Sequence, residues 1–139
     1  MAWSKYKYTC QADGEGGFAC DLPFIVVKLH LGSRTMRVTA LIDSGCTTTH
    51  IRTDIASALG LDLSAAKEKN SSGITGSAIG KHLKMQIEIE GHGGPFESPA
   101  VFIPSLPVPM LLGQNNFFDK FNVKFEKQKA SFFIERIAD

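Results

Sequence analysis

An acidic side chain directly follows an apolar run in the segment TALIDSGCTTTHI, residues 39–51. Residues 40–42 are Ala, Leu and Ile, which is typical of the end of a buried strand, and Asp43 comes immediately after them. A carboxylate in such a place costs free energy unless neighbouring groups hold it. Two interpretations are open. Asp, Ser and Gly all favour turns, so a turn could simply begin at Asp43; alternatively, the protein uses the carboxylate for acid–base chemistry.

Two further segments distinguish Asp43 from a chance Asp-Ser-Gly tripeptide. By composition alone, such a tripeptide occurs in roughly a few per cent of chains of this length. Here a glycine-rich segment, SSGITGSAIG, follows roughly thirty residues later. A second apolar run that ends in glycine, MLLG, places Gly113 at a position 70 residues after Asp43, and QNNFF follows it. The order and spacing of the three segments are much more specific than the tripeptide.

The rest of the pattern predicts the elements that position these segments. Residues 83–90 alternate strictly between apolar and polar side chains, which is the period of a half-buried strand. A period of four predicts a short helix over residues 54–59, with Thr53 as its N-cap and Gly60 after its last turn. We further predict strands over 24–31, 36–43 and 100–104, a short apolar run over 108–113 that ends in glycine, a loop over 70–80, a helix over 114–121 and a closing hairpin over 122–137. The chain is therefore predicted to be mostly β, with about seven short strands, closed or sandwiched.

Length and composition indicate one domain. The chain has 139 residues, of which 43% are apolar and 21% charged, and this is enough for one core. We predict that residues 1–22 form an N-terminal arm or edge strand and that residues 23–139 form the domain. The net charge of +1 has no basic patch to suggest nucleic-acid binding, and no apolar run approaches the roughly 20 residues of a membrane span.

The N-terminal segment and the cysteines suggest a location. The first residues lack the continuous apolar stretch of a secretory signal. The three cysteines are too few and too widely spaced for a disulfide framework. We therefore expect the protein in the reducing cytoplasm.

With these segments the sequence resembles the retropepsin-like aspartic proteases, and its layout is closest to the cellular and bacterial single-lobe members. The resemblance covers roughly residues 23–137. It implies a closed acid-protease β-barrel with one or two short α-helices. It also implies that the glycine-rich segment forms a hairpin flap over the substrate, and that the second apolar run crosses behind the loop that carries Asp43.

The same resemblance assigns a role to each of these residues. Asp43 would be the catalytic residue, and Ser44 and Gly45 would support its loop, with the Ser44 hydroxyl bonding across a two-fold axis. Substrate binding is implied for Thr47, Thr48, Gly73, Ile74, Thr75 and Gly76. A structural position behind the site is implied for Leu111, Leu112 and Gly113. Gln114 departs from the viral members, which usually have Arg there, and this removes a contact that stabilises their dimer.

The implied reaction is hydrolysis of peptide bonds by an aspartic endopeptidase. Without a metal, this reaction needs both a base for water and an acid, and two close carboxylates that share a proton supply both. The chain contains a single Asp-(Ser/Thr)-Gly motif, so the resemblance implies a homodimer in which two Asp43 side chains meet. We expect a peptide or protein substrate in extended conformation, no cofactor, no metal, and neither nucleic acid nor membrane as a partner.

Several other interpretations stay open. The fold could serve as a dimerising or peptide-binding module with a weak or silent site, or the tripeptide could be a turn in an unrelated β-barrel. The four histidines show no metal-ligand spacing. Cys46 and His50 are spaced i, i+4, and we expect them to meet only in a helix, which the threonines between them disfavour. A thiol hydrolase is therefore a minor alternative.

Overall fold

A computed structural model describes residues 2–73 and 76–137, which form twelve β-strands, one regular α-helix and two short helical turns. The strands are β1 Ser4–Lys7, β2 Thr9–Ala12, β3 Phe18–Leu22, β4 Phe24–Leu31, β5 Arg34–Ile42, β6 Thr49–Arg52, β7 Lys67–Gly73, β8 Gly76–Ile89, β9 Phe96–Ile103, β10 Met110–Leu112, β11 Phe121–Glu126 and β12 Ser131–Arg136. The helix is α1 Thr53–Leu59, and the helical turns are Gln114–Phe118 and Lys127–Lys129.

Six of the strands close into a barrel in the order β4-β5-β10-β6-β9-β8. The barrel closes because β8 pairs with β4 through Ile89 and Val27 as well as with β9. The first part of β8 continues beyond the barrel and pairs with β7 as a hairpin. The predicted mostly-β closed barrel is confirmed, although the strands are more numerous than the sequence pattern indicated.

The barrel interior is the hydrophobic core, and strand alternation decides which residues enter it. The short strand β10 lies between β5, to which it is parallel, and β6, to which it is antiparallel. The inward-facing side chains at this place are fully or almost fully buried, and they are Ala40, Ile42, Ile51, Phe102, Met110 and Leu112. These buried apolar side chains fix the register between β5 and β10. The residues that directly follow the two strands are therefore also held in fixed positions.

A second, three-stranded sheet, β1-β12-β11, closes one end of the molecule. Phe121 and Phe132 of this sheet are buried, and Phe121 stacks on Phe117 with ring centroids 5.2 Å apart. The predicted closing hairpin is therefore confirmed as β11–β12. Strand β1 pairs with β12, while the division into an arm and a domain at residue 23 stays a prediction.

The predicted helices differ from the structure at their starts. Helix α1 confirms the first one, and Gly60 after it adopts a left-handed conformation with φ 83°. Thr53 was wrong as the N-cap, because Arg52 occupies that position without a side-chain cap. The helix predicted over 114–121 is wrong in its first half, since Asn115 is extended and Asn116 has φ 70°. The Asn116 amide instead donates to the Asp119 carboxylate, which holds an irregular turn.

The segment predicted as a loop at 70–80 lies mostly in the strands of the β7–β8 hairpin. At the other end of the chain, Cys10 and Cys20 lie opposite each other on β2 and β3 and form a disulfide. Three widely spaced cysteines indicated that the chain has no framework of several disulfides. The number of cysteines could not predict a single disulfide between two paired strands. No helix in the described ranges is long and apolar enough to cross a membrane.

Candidate active site

Successive side chains along β5 point alternately into the barrel core and toward the outer face of its wall. Asp43, which follows β5, lies on the outer face. Leu41 on β5 is half-buried while its neighbours Ala40 and Ile42 are buried in the core. The Asp43 amide donates to the Leu112 carbonyl at 3.0 Å, so the pairing of β5 with β10 extends to this residue. The register places five outward residues side by side on neighbouring strands: Leu41, Leu111, His50, Val101 and His82. We call these five the outer-face row.

The chain turns sharply after Asp43 and orients its carboxylate. The Gly45 amide donates to Asp43 Oδ1 at 3.0 Å, and the Cys46 amide donates to the Asp43 carbonyl at 3.2 Å. A backbone donor of this kind fixes the direction of one carboxylate oxygen. The apolar strand therefore ends in a half-buried acid that the turn itself positions, and Ser44 at the turn is exposed.

Gly113 lies directly behind this loop and cannot carry a side chain there. A Cβ atom on Gly113 would come 2.7 Å from the Thr48 carbonyl carbon and 2.8 Å from the Cys46 oxygen. Both are backbone atoms, so they could not move aside cheaply. The Gly113 amide also donates to the buried Thr49 hydroxyl at 3.3 Å. The structure thus places Gly113, at the end of the MLLG segment, against the backbone of the Asp43 loop. The structural role that the resemblance implied for Leu111, Leu112 and Gly113 stays a prediction.

Residues after Gly113 complete the support of the loop. The amides of Gln114 and Asn115 donate to the Cys46 and Thr47 carbonyls, each at 2.8 Å. The Gln114 side-chain amide donates to the Ser44 carbonyl at 2.7 Å. From the sequence, Gln114 was identified only as the residue that replaces the arginine of the viral members, and its contact with Ser44 was not predicted. Its position next to Gly113 was the available signal, since Gly113 was already expected behind the loop.

The hairpin β7–β8 rises beside the same face. Gly73 and Gly76 form its last described pair, and the predicted flap residues Ile74 and Thr75 lie outside the described residues. Lower in the hairpin, Gly80 packs so closely on β9 that a side chain there would collide with Val101. The outer-face row runs from Leu41, close to the Asp43 loop, to His82 at the base of this hairpin, and we call the outer surface along it the groove.

A sequence model of the aspartyl protease family matches residues 26–116. The chain belongs to the aspartyl protease family. Among solved structures, a similar one is the retropepsin-like aspartic protease from Rickettsia conorii, with 14% sequence identity and a TM-score of 0.65. The match covers 96% of this chain and 90% of that chain. The retropepsin-like fold named from the sequence is confirmed, while no curated protein sequence matches significantly.

The family match includes all three segments that carried the resemblance, with the loop at Asp43, the hairpin and Gly113 inside residues 26–116. It removes the interpretation of an unrelated β-barrel. The roles of Thr47 and Thr48 toward a substrate stay predictions. In the structure Thr47 is exposed and Thr48 half-buried, and both carbonyls already accept hydrogen bonds within the site.

Cys46 and His50 do meet in this member of the aspartyl protease family, which corrects the expectation that only a helix could join them. The bend of the loop brings Cys46 Sγ to 3.2 Å from His50 Nδ1, and Sγ also donates to the Thr48 carbonyl at 2.9 Å. Burial first, and then the negative charge of Asp43, raise the pKa of the Cys46 thiol. The thiol is thus held in its neutral form, which is the opposite of what a nucleophilic cysteine needs.

The metal interpretation was tested by geometry over the part of the chain that the structure describes. Within it, no group of three or more His, Cys, Asp or Glu side chains is arranged to hold a metal ion.

Proposed function

We propose that the protein is an aspartic endopeptidase that hydrolyses peptide bonds as a homodimer. The observation that supports this most is the placement of Asp43. It ends β5 on the outer face, accepts the Gly45 amide at 3.0 Å, and is supported from behind by Gly113. The fold and the family provide the setting, and the single Asp-Ser-Gly motif provides one carboxylate for each chain.

The chemistry of peptide hydrolysis requires the second chain. One carboxylate cannot both remove a proton from water and donate a proton toward the substrate. Two carboxylates a few Å apart do not both ionise, so they share one proton and titrate as a unit. In the proposed site, one Asp43 acts as the base on water while the protonated Asp43 of the second copy polarises the scissile carbonyl. The Ser44 hydroxyls would bond between the two loops and keep the carboxylates coplanar. No cofactor takes part.

The substrate is proposed to bind as an extended peptide in the groove beside Asp43. Such a peptide adds a strand to exposed backbone groups, and its alternate side chains enter pockets. Gly45 leaves room for the substrate backbone to approach the site, and Thr47 and Thr48 would offer hydroxyls to it. The hairpin around Gly73–Gly76 would close over the peptide as a flap.

The cytoplasmic location remains a prediction, and the disulfide gives a reason to test it. Disulfides such as Cys10–Cys20 persist in oxidising compartments and are rare in a reducing cytoplasm. Blocking free thiols during cell lysis, followed by mass spectrometry, measures the state of this pair. Reduced Cys10 and Cys20 are expected in the cytoplasm, and a quantitative disulfide would contradict that location.

The proposed activity is tested with Asp43→Asn, which keeps the side-chain size and removes the acid. Unfolded polypeptides are incubated with the wild type and the variant between pH 4 and 7. We expect Asp43-dependent cleavage by the wild type and a loss of about 10²–10⁴-fold or more in the variant, with the dimer retained. Asp62→Asn is the matched control, because Asp62 also accepts an amide two residues on, from Ser64 at 2.9 Å.

Two results would contradict the proposal. Undiminished cleavage by the Asp43→Asn variant would assign the chemistry to another group. Absence of cleavage at every pH, together with peptide binding by a folded dimer, would favour the alternative of a catalytically silent peptide-binding module. The two candidate functions therefore predict different results in the same experiment.

A further inference from the structure

The outer-face row contains two histidines that the proposed mechanism does not use. His50 on β6 and His82 on β8 both pair with Val101 of β9, one from each side, and so share the face that continues to Asp43. His50 is tied to the Asp43 loop through its contact with Cys46 at 3.2 Å. His82 stands at the base of the β7–β8 hairpin. The row thus spans the groove from the Asp43 loop to the proposed flap.

His82 carries a buried polar atom that nothing satisfies in the described part of the chain. Its Nε2 is inaccessible to solvent and has no hydrogen-bond partner there. Buried polar atoms in folded proteins are nearly always bonded, and an exception calls for an explanation. A group that arrives with the substrate would supply the missing partner.

The charges around His82 define that group. Burial, the ammonium of Lys69 and the ring of His50 all lower the pKa of His82, and both of these neighbouring groups are basic. Lys67 pairs directly with His82, and Lys69 pairs with Gly80 on the same side of the hairpin. The carboxylate of Glu68 is on the other side, where it lies 3.4 Å from Lys81. Among the described side chains of the hairpin, this side is therefore basic, and the acid of β7, Glu68, lies on the opposite side.

We infer that His82 and Lys69 form a subsite for a carboxylate side chain of the substrate. The inference rests on the proposed function and specifies its substrate class: extended peptides with Glu or Asp at one position close to the scissile bond. Leu111, which is half-buried on the same face, provides an apolar contact for the methylene groups of that side chain. The Nε2–H of His82 donates to the carboxylate, and Lys69 neutralises its charge. The hydrogen bond is charge-assisted, which makes it stronger than one between neutral groups.

The test compares peptides that differ only in this side chain. The wild-type chain is first given an unbiased peptide library, in which we expect Glu and Asp to be enriched at a single position near the cleaved bond. Peptides with Glu or Leu at that position are then compared, and kcat/KM is expected to be roughly tenfold higher for Glu. Equal rates for the two peptides would overturn the inference.

Two variants assign the preference to these residues. His82→Phe keeps a ring and removes Nε2, and we expect it to lower the Glu-to-Leu ratio by about tenfold. Lys69→Met changes an exposed side chain, and we expect it to lower the Glu-to-Leu ratio of kcat/KM several-fold. If His82→Phe does not fold, the Lys69→Met variant alone tests the subsite. Lys5→Met on β1, remote from the groove, is the charge-matched control and should keep the ratio. An unchanged ratio in the Lys69 variant and in any folded His82 variant would overturn the inference.

Failure of the proposed function has a different signature. In that case the wild type cleaves no peptide of the library. Binding of library peptides that contain a single Glu is then measured by calorimetry with the full chain, together with matched peptides in which Leu replaces that Glu. Tighter binding of the Glu peptide by about tenfold, lost in the Lys69→Met variant, supports the subsite without catalysis. Equal affinity for both peptides, or an equal failure to bind either, overturns it.

Discussion

Val101 and Phe102 are neighbours on β9, and each is only 1% exposed, yet they belong to different parts of the molecule. Phe102 points into the barrel and packs in the main core, whereas Val101 points outward and packs under Gly80 of the hairpin. The same alternation separates Ile42 from Asp43 at the end of β5. The comparison teaches that burial alone does not identify a core residue in this fold. The inner face fixes the register of the strands, and the outer face carries the groups available for chemistry.

The two faces are expected to differ most in how far a substitution to alanine lowers the free energy of unfolding. Phe102→Ala opens a cavity in the barrel and should lower the free energy of unfolding by about 3–5 kcal/mol. Val101→Ala removes two methyl groups and should cost about 1.5–2 kcal/mol. Urea unfolding measures both variants. Equal losses of stability would show that the two faces form one continuous core.

Gly113→Ala tests how the barrel supports the Asp43 loop, because Gly113 follows the barrel strand β10 and packs against the backbone of that loop. The new methyl group would meet backbone atoms at 2.7–2.8 Å, and such overpacking typically costs about 1–3 kcal/mol. We expect cleavage activity to fall further than stability does, since the displaced atoms belong to the Asp43 loop. Thermal unfolding and peptide cleavage are compared, with Gly94→Ala as the control at an open position. A variant with full activity would contradict the role of Gly113 behind the loop.

Gln114→Leu probes a weaker support that acts on the outer loop alone. It removes the donor to the Ser44 carbonyl, and one such bond contributes about 0.5–1.5 kcal/mol. We expect stability to change by no more than this and kcat/KM to fall several-fold, because Ser44 follows Asp43, the proposed catalytic residue. Gln128→Leu in the exposed turn between β11 and β12 is the matched control. The role is wrong if both variants keep the same activity.

The smallest effect is a dependence of stability on pH. Burial lowers the pKa of His92 and of His82 in the folded state, with Arg136 adding to the effect at His92. The unfolded chain therefore binds more protons below pH 6.5, so the free energy of unfolding falls as the pH is lowered through this value. His92→Gln should flatten that slope between pH 7.5 and 5. The difference in the free energy of unfolding between His92→Gln and the wild type at pH 8 serves as the reference. An unchanged slope would contradict the assignment of this pH dependence to His92.

Much of the barrel was predictable because its strands have a regular apolar period. Residues 24–31 and 83–90 alternate or run apolar in the sequence; the first range is β4, and all but the last residue of the second lies in β8. The arrangement of β10 between β5 and β6 was not predictable from three residues alone, because non-local pairing decides it. The helix over 114–121 failed at Asn116, whose left-handed conformation depends on a bond to Asp119 that no local pattern announces.

The site was predictable where glycine and acid had to occupy special places. Asp43 at the end of an apolar strand and Gly113 against the loop backbone both leave a mark in the sequence. The outer-face row leaves none, since His50 and His82 are 32 residues apart and meet only through their common neighbour Val101. The contact between Cys46 and His50 was missed for the same reason, because a bent loop rather than a helix creates it.

The central claim is that the active site is assembled from two copies of one chain. The most direct measurement is the distance between the two Asp43 carboxylates in a crystal structure of the dimer. We predict that their nearest oxygens lie at hydrogen-bonding distance, about 2.5–3.0 Å, with the two Ser44 hydroxyls bonded between the loops. A crystal of protein with demonstrated cleavage activity in which Asp43 lies far from any second Asp43 would contradict the account.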